Sequence, residues 1–272
     1  MLEWATEYFE EKEVPSPRHS IEWLLADILK SKRLNLYLQY DRPLSEIELS
    51  QLRPMVQRRA GHEPLQYILG YAEFMNCKIY VNPSVLIPRI ETEQLVEIFL
   101  EKTRHLADKK INLLDIGTGS GCIPIAVKKS RPNWNCYGMD ICDKALVVAK
   151  RNADENNTDV HFFKGNLFDH ESLSISNWDL IISNPPYIAP DEKESIDKQV
   201  KDFEPEHALF HQNPVEVYDT IIQYACAQNA ELYLELNNRI AEQIKQLATE
   251  YYKQTILHKD FDNNERFLTT VL

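Results

Sequence analysis

The sequence predicts an α/β protein in which a small helical unit and a hairpin linker precede a doubly wound parallel sheet. Three observations carry this expectation. Apolar stripes at helical spacing fill the first 60 residues, an aromatic and β-branched stretch with turn signals follows, and beyond it strand patterns alternate with helix patterns.

The elements follow in order. In "SIEWLLADILK", Ile21, Leu24, Leu25, Ile28 and Leu29 fall at offsets 0, 3, 4, 7 and 8, one face of a helix, and "PSPRHS" leads into it. "SEIELSQLRPMVQRRAG" predicts a second helical region, N-capped by Ser45 and ended at Gly61. From "LQYILGYAEFMNCKIYVNPSVLIPR" the pattern favours a hairpin. Then come the strand "INLLDI", a helix over 122–130, "NCYGMD", a helix over 143–155, "VHFF" and "WDLIIS". Past residue 214 the pattern gives a helix, the strand "ELYLEL", another helix and two closing strands near 254–260 and 266–272. The expected division is a helical domain over 1–65, a hairpin linker over 66–90 and a catalytic domain over 91–272.

Composition narrows the function classes. No apolar run reaches the 18 or so residues of a membrane span, and the N-terminus is acidic where presequences are basic, so a cytoplasmic protein without membrane contact is expected. Five cysteines (77, 122, 136, 142 and 226) are scattered without a C-x-x-C pair, and the eight histidines have no ligand spacing; neither a disulfide framework nor a metal site is expected. Residues 1–90 hold 11 Lys+Arg against 12 Asp+Glu, and residues 91–272 hold 19 against 30. An acidic body opposes phosphate neutralisation, so a protein partner is expected and direct nucleic-acid binding is not.

The chain has only seven glycines, yet Gly117, Gly119 and Gly121 crowd into "DIGTGSG", between a predicted strand and a predicted helix. Glycines there let backbone approach a ligand at a helix N-terminus. The spacing is G-x-G-x-G with no following lysine, which fits neither the dinucleotide fingerprint nor a phosphate-binding loop well. Asp140, 23 residues past Gly117, ends the next strand, where an acid can accept from both ribose hydroxyls. A nucleoside without a pyrophosphate fits best, and S-adenosylmethionine meets that description; a dinucleotide and a purely structural loop are the weaker readings.

"NPPY", residues 184–187, leaves the carboxyl end of "WDLIIS", the edge from which the glycine loop also departs. Prolines have no N–H, so Pro185 and Pro186 leave mainly carbonyl acceptors; Asn184 adds an amide oxygen and Tyr187 an aromatic face. Such a pocket suits a planar group bearing N–H donors. Acceptors at the Asn184 side chain and the Pro185 carbonyl would grip its hydrogens, aim the nitrogen lone pair at a methyl group and favour the positive charge that develops.

With these motifs in place, the chain resembles a known family. "DIGTGSG" followed 67 residues on by "NPPY" looks like the amino-methyltransferases of planar nitrogens. "EPLQYILGYAEF", "VNPSVLIPRIETEQLVE", "FEPEHAL" and "DNNERF" are similar to the HemK/PrmC family of peptide chain release factor glutamine N5-methyltransferases. The resemblance implies an S-adenosylmethionine-dependent methyltransferase, with a Rossmann-like seven-stranded sheet, a small N-terminal helical domain that docks the release factor, and a β-hairpin linker. It implies methylation of the glutamine of the Gly-Gly-Gln motif; a monomer is expected. Carried over, Asp115, Gly117, Thr118, Gly119, Ser120, Gly121, Asp140, Asn166, Leu167 and Asn184 would hold the cofactor. Asn184, Pro185, Pro186 and Tyr187 would hold the glutamine amide, with Asn184, Pro185 and Tyr187 catalytic. Arg89, Glu91 and Thr92 match a family motif near the cofactor side. In "GNLF", Asn166 and Leu167 stand where the family has an acid before a bulky residue; an asparagine still hydrogen-bonds adenine, so retained binding with altered affinity is expected. Two rivals use the same motifs differently: a nucleic-acid adenine or cytosine N-methyltransferase acting on a flipped base, and a binding module that keeps the pocket as a scaffold.

Overall fold

The computed structural model describes residues 1–39, 41–169 and 177–272. They form two compact units, residues 1–71 with 197–203, and residues 72–196 with 204–272.

The first unit contains α1 (Leu2–Glu11), α2 (Pro17–Ile28), a 3₁₀ segment (Arg33–Gln39), α3 (Glu46–Ala60) and α4 (Leu65–Leu69). Ala5, Phe9, Ile21, Leu24, Leu52 and Val56 form its core, so the predicted α2 stripe is the packed face. Ser45 caps α3 through a capping box: its hydroxyl accepts from the Glu48 N–H at 3.3 Å, and the Glu48 carboxylate accepts from the Ser45 N–H at 2.7 Å. Gly61 ends the helix. The buried Arg59 donates to the Ser20 hydroxyl (3.0 Å), to the Pro15 carbonyl (3.0 Å), to the Glu63 carbonyl (2.9 Å) and to the Gln199 amide oxygen. That last bond ties residues 197–203 into the helical unit.

One predicted stretch differs. "LQYIL" is the short helix α4 rather than the start of the hairpin, with Pro64 preset at its N-terminus and Gly70 at φ +80° stopping it. Leu65 and Ile68 join the helical core, and burial on one helical face outweighs the aromatic and branched side chains that favour a strand. The hairpin proper is β1 (Tyr71–Phe74) and β2 (Cys77–Tyr80), joined by Met75 and Asn76, both at positive φ as a type I′ turn requires.

The second unit continues with α5 (Ile90–Lys102), β3 (Asn112–Ile116), α6 (Cys122–Ser130), β4 (Asn135–Asp140), α7 (Asp143–Glu155), β5 (Val160–Lys164) and β6 (Leu180–Ser183). Two short helices, α8 (Lys198–Phe203, in the helical unit) and α9 (Glu206–Leu209), precede α10 (Pro214–Ala227), β7 (Glu231–Glu235), α11 (Ala241–Thr249), β8 (Gln254–Lys259) and β9 (Glu265–Val271). The seven-stranded sheet has the order β5-β4-β3-β6-β7-β9-β8. Five neighbouring strands are parallel, as predicted; β9 runs antiparallel to them, and β8, antiparallel to β9, shares their direction, so the sheet is mixed. β3 and β6 are buried along nearly all their length, as central parallel strands are.

Strand order reverses between β3 and β6: the chain steps outward from β3 to β4 and β5, then returns to β3's other side. Ligands bind at such a switch point, beyond the carboxyl ends of the strands. Ile116 and Ser183 are register partners, and the Ser183 hydroxyl donates to the Ile116 carbonyl at 2.7 Å. The glycine loop and the Asn-Pro-Pro-Tyr stretch therefore leave the sheet side by side.

Candidate active site

The glycine loop works through its backbone. Gly117, Gly119 and Gly121 have φ of +74°, +54° and +77°, the left-handed region that other residues occupy at a cost. The N–H groups of Gly117 and Thr118 both donate to the Met139 carbonyl at 2.9 Å, and the Gly121 N–H donates to the Thr118 carbonyl at 2.8 Å. Asp140 pins the loop to the end of β4: its Oδ2 accepts from the Gly119 N–H at 2.8 Å, its Oδ1 from the Cys142 N–H at 2.9 Å. A side-chain carbon at position 117 would meet no packed atom within 4 Å, because the loop faces open space.

That space is a cavity of about 410 Å³, within the usual range for small-molecule sites. Of the predicted residues, Gly117, Gly119, Asp140, Asn166, Leu167, Asn184, Pro185 and Pro186 line it. Asp115, Thr118, Ser120, Gly121 and Tyr187 do not. Residues that the sequence reading did not single out also line it, among them Val85, Phe168, Phe210 and His211. The Phe168 and His211 rings stack with centroids 5.7 Å apart. Asn166 turns its amide oxygen back to accept from the Phe168 N–H at 3.1 Å, which sets the bend that brings Phe168 to the rim.

Behind the loop, Asp115 is fully buried, and neither carboxylate oxygen has a hydrogen-bond partner; the same holds for the buried hydroxyls of Thr118 and Ser120. Burial pushes the Asp115 carboxyl up to about 7, and the negative Asp140 adds to this. The neighbouring Thr118 hydroxyl opposes the shift electrostatically, without meeting hydrogen-bond geometry. Orphaned buried acceptors are expensive and mark a place for donors. S-adenosylmethionine brings an ammonium, two ribose hydroxyls and an exocyclic amino group, and the polar side chains on the cavity wall, Asp140, Asn166 and Asn184, suit such donors.

The Asn184 side is built from side chains. The Asn184 amide nitrogen donates to the Thr92 hydroxyl at 3.0 Å, which donates to Glu235 Oε2 at 2.8 Å. The Tyr187 hydroxyl donates to Glu235 Oε1 at 3.1 Å. With its nitrogen committed to Thr92, Asn184 keeps its Oδ1 lone pairs for a ligand, beside the donor-free Pro185 and Pro186. Tyr187 thus contributes its hydroxyl to this network, and it is not among the residues lining the cavity, where an aromatic wall is expected. Burial raises the Tyr187 phenol far above its usual value, and it stays protonated. Glu235, 1% exposed, is pushed up to about 7 by burial, offset by the bonds from Thr92 and Tyr187 and by the charge of Arg266.

Arg89 pairs with the buried Glu204, which also accepts from the Ile87 N–H at 3.1 Å, so the "LIPR" stretch is tethered to "FEPE". Glu91 stands on the first turn of α5, beside Thr92. Glu235 and Glu204 were missed as site residues. Glu204 lies within a stretch that carried the family resemblance, and Glu235 had one readable signal, an acid closing the apolar strand "ELYLEL" at the ligand edge.

Comparison with known proteins bears on the whole chain. The family described as PrmC N-terminal domain matches residues 1–70, and the one described as Methyltransferase small domain matches residues 91–202. The release factor glutamine methyltransferase of Flavobacterium psychrophilum is 37% identical over 96% of this chain and 92% of its own. That of Geobacter sulfurreducens is 43% identical over 77% and 72%, and that of Leptospira interrogans is 36% identical over 98% and 96%. Among solved structures, the hMettl16 catalytic domain in complex with a MAT2A 3′UTR hairpin superposes with a TM-score of 0.56 at 14% identity, over 84% of this chain and 82% of that one. At that identity the likeness concerns the fold, a methyltransferase sheet of the kind the topology displays. The identity to the curated relatives, sustained over 72% to 96% of their length, settles the assignment: the chain belongs to the release factor glutamine methyltransferase family.

Proposed function

We propose that this chain transfers the methyl group of S-adenosylmethionine to the side-chain nitrogen, N5, of the glutamine in the Gly-Gly-Gln motif of peptide chain release factors. The observation that carries the reading is that Asn184 and Pro185 line the same cavity as the glycine loop, with the Asn184 nitrogen engaged by Thr92 and its oxygen left as an acceptor.

A carboxamide nitrogen is a poor nucleophile because its lone pair is delocalised into the carbonyl. Asn184 and Pro185 accept its two hydrogens, which fixes the amide plane and turns the nitrogen toward the cofactor side of the cavity. The same acceptors strengthen their hold as positive charge grows on nitrogen, so they favour the transition state over the ground state. Bound S-adenosylmethionine supplies an electrophilic methyl group on a sulfonium. The loop 117–121 and Asp140 would hold its nucleoside, and Asn166 with Leu167 would meet the adenine. Val85, Leu86 and Ile221 add apolar wall to the crevice. The helical domain, residues 1–65, docks the release factor, and the protein acts as a cytoplasmic monomer without membrane or direct nucleic-acid contact.

Incubation with methyl-labelled S-adenosylmethionine and either an unmethylated release factor or DNA tests this. Label is expected on the factor; label on DNA and none on the factor would contradict the reading and favour a base methyltransferase.

A further inference from the structure

We infer that Glu235 is a positioning residue: as a carboxylate it is the terminal acceptor of the chain Asn184–Thr92–Glu235 and of the Tyr187 hydroxyl, and so fixes which end of the Asn184 amide faces the substrate. This rests on the proposed reading of the site as one that grips a planar nitrogen.

Hydrogen-bond polarity supplies the argument. An ionised carboxylate only accepts, whereas each hydroxyl has one proton to give. With Glu235 ionised, Thr92 and Tyr187 must both spend their protons on it. The Thr92 oxygen then has only lone pairs left for Asn184, so the Asn184 nitrogen turns toward Thr92 and the oxygen toward the cavity. With Glu235 protonated, one of its oxygens becomes a donor. If it donates to Thr92, the threonine proton is free for Asn184 Oδ1, and the amide can turn over, presenting N–H to the substrate's own N–H. The network is buried and closed around: Thr92 is 3% exposed, and the Tyr218 hydroxyl on α10 holds the Glu235 backbone carbonyl at 3.0 Å.

The charged and titratable groups facing the carboxyl are Arg266 on β9, Glu91 on α5 and the phenols of Tyr187 and Tyr218, with Arg89 reaching it through Tyr187. Glu235 titrates at about 7, burial being the main cause. The sign follows: its folded value lies above that of an unfolded glutamate, so its contribution to stability is complete in acid and is lost as pH rises through about 7. Turnover, which needs the ionised form, rises through about 7, where that loss is completed. The inference therefore sets stability falling on the acid side of about pH 7 while activity rises towards and through it, which a plain structural role would not do.

The test compares full-length wild type, Glu235→Gln, Thr92→Ser and Thr92→Val for turnover from about pH 6 to about pH 9, KM for the factor, calorimetric cofactor affinity and thermal unfolding. Glu235→Gln is expected to lower kcat on the order of 10²-fold with little change in KM or cofactor affinity, and to flatten the rise of kcat across neutrality. It is also expected to unfold at a temperature no lower than wild type in the alkaline range. Thr92→Ser keeps the relay and should stay within about threefold of wild-type kcat, while Thr92→Val should fall as Glu235→Gln does. A Glu235→Gln variant with wild-type kcat and pH profile, or Thr92→Val equal to Thr92→Ser, overturns the inference. Should Glu235→Gln fail to fold, the threonine pair decides alone. The readout is a ratio among variants on whichever acceptor takes the label. Failure of the release-factor reading would change the acceptor and leave the ratios, whereas failure of the inference would equalise them.

Discussion

The glycine loop meets its ligand with the backbone of five consecutive residues, 117–121, whereas the Asn184 side of the same crevice depends on four side chains, of which Thr92 and Glu235 stand 143 positions apart. On the first side, conformation is the tool: three positive φ angles open a path for a ligand, and Asp140 locks the loop from behind. On the second side, hydrogen-bond direction is the tool, and each member matters for what it donates or accepts. The contrast teaches that binding and chemistry are separable here, since a change on one side leaves the other's supports in place.

The largest effect is expected from Asn184→Ala. Loss of the amide acceptor should cut turnover by about 10²–10³-fold while leaving cofactor affinity nearly intact, because the loop and Asp140 are untouched. Rapid-quench kinetics alongside calorimetry checks this; an unaffected rate would remove Asn184 from its role. Next comes Gly119→Ala on the other side. An alanine at φ +54° costs about 1–2 kcal/mol, so cofactor affinity should weaken roughly tenfold while kcat at saturating cofactor is retained. A fall in kcat with unchanged affinity would break the separation. The smallest effect is expected far from both sides, at Ser45→Ala. Loss of the capping box should cost about 1 kcal/mol in thermal or denaturant unfolding without altering methyl transfer to a saturating substrate.

Legibility in the sequence follows the same division. The strands between 111 and 271 and the helices α6, α7, α10 and α11 are readable because each is set by local periodicity and bounded by its own turn signals, whereas the short helices α8 and α9 carry no such signal. The glycine loop was readable because all its chemistry lies in seven contiguous residues. Leu65–Leu69 was misread as part of the hairpin because its helical form is imposed by burial of Leu65 and Ile68 against the helical core, which propensity does not register. Asn184 was legible as an acceptor, but its orientation was not: that depends on Thr92 and Glu235, which only the folded β6–β7 neighbourhood and α5 bring near. Tyr187 illustrates the limit most sharply. Its place after the prolines suggests a ring beside the substrate, and nothing in the sequence signals that a buried carboxylate on β7 also claims its hydroxyl.

The central claim is that the crevice methylates a carboxamide nitrogen, and the labelled release factor itself tests it most directly. Digestion and tandem mass spectrometry of the factor after reaction should find a single methyl group on the side-chain nitrogen of the glutamine in Gly-Gly-Gln, absent when Asn184→Ala replaces the wild type. A methyl group on any other residue of the factor, or on the same glutamine at equal rate with the variant, would contradict the account.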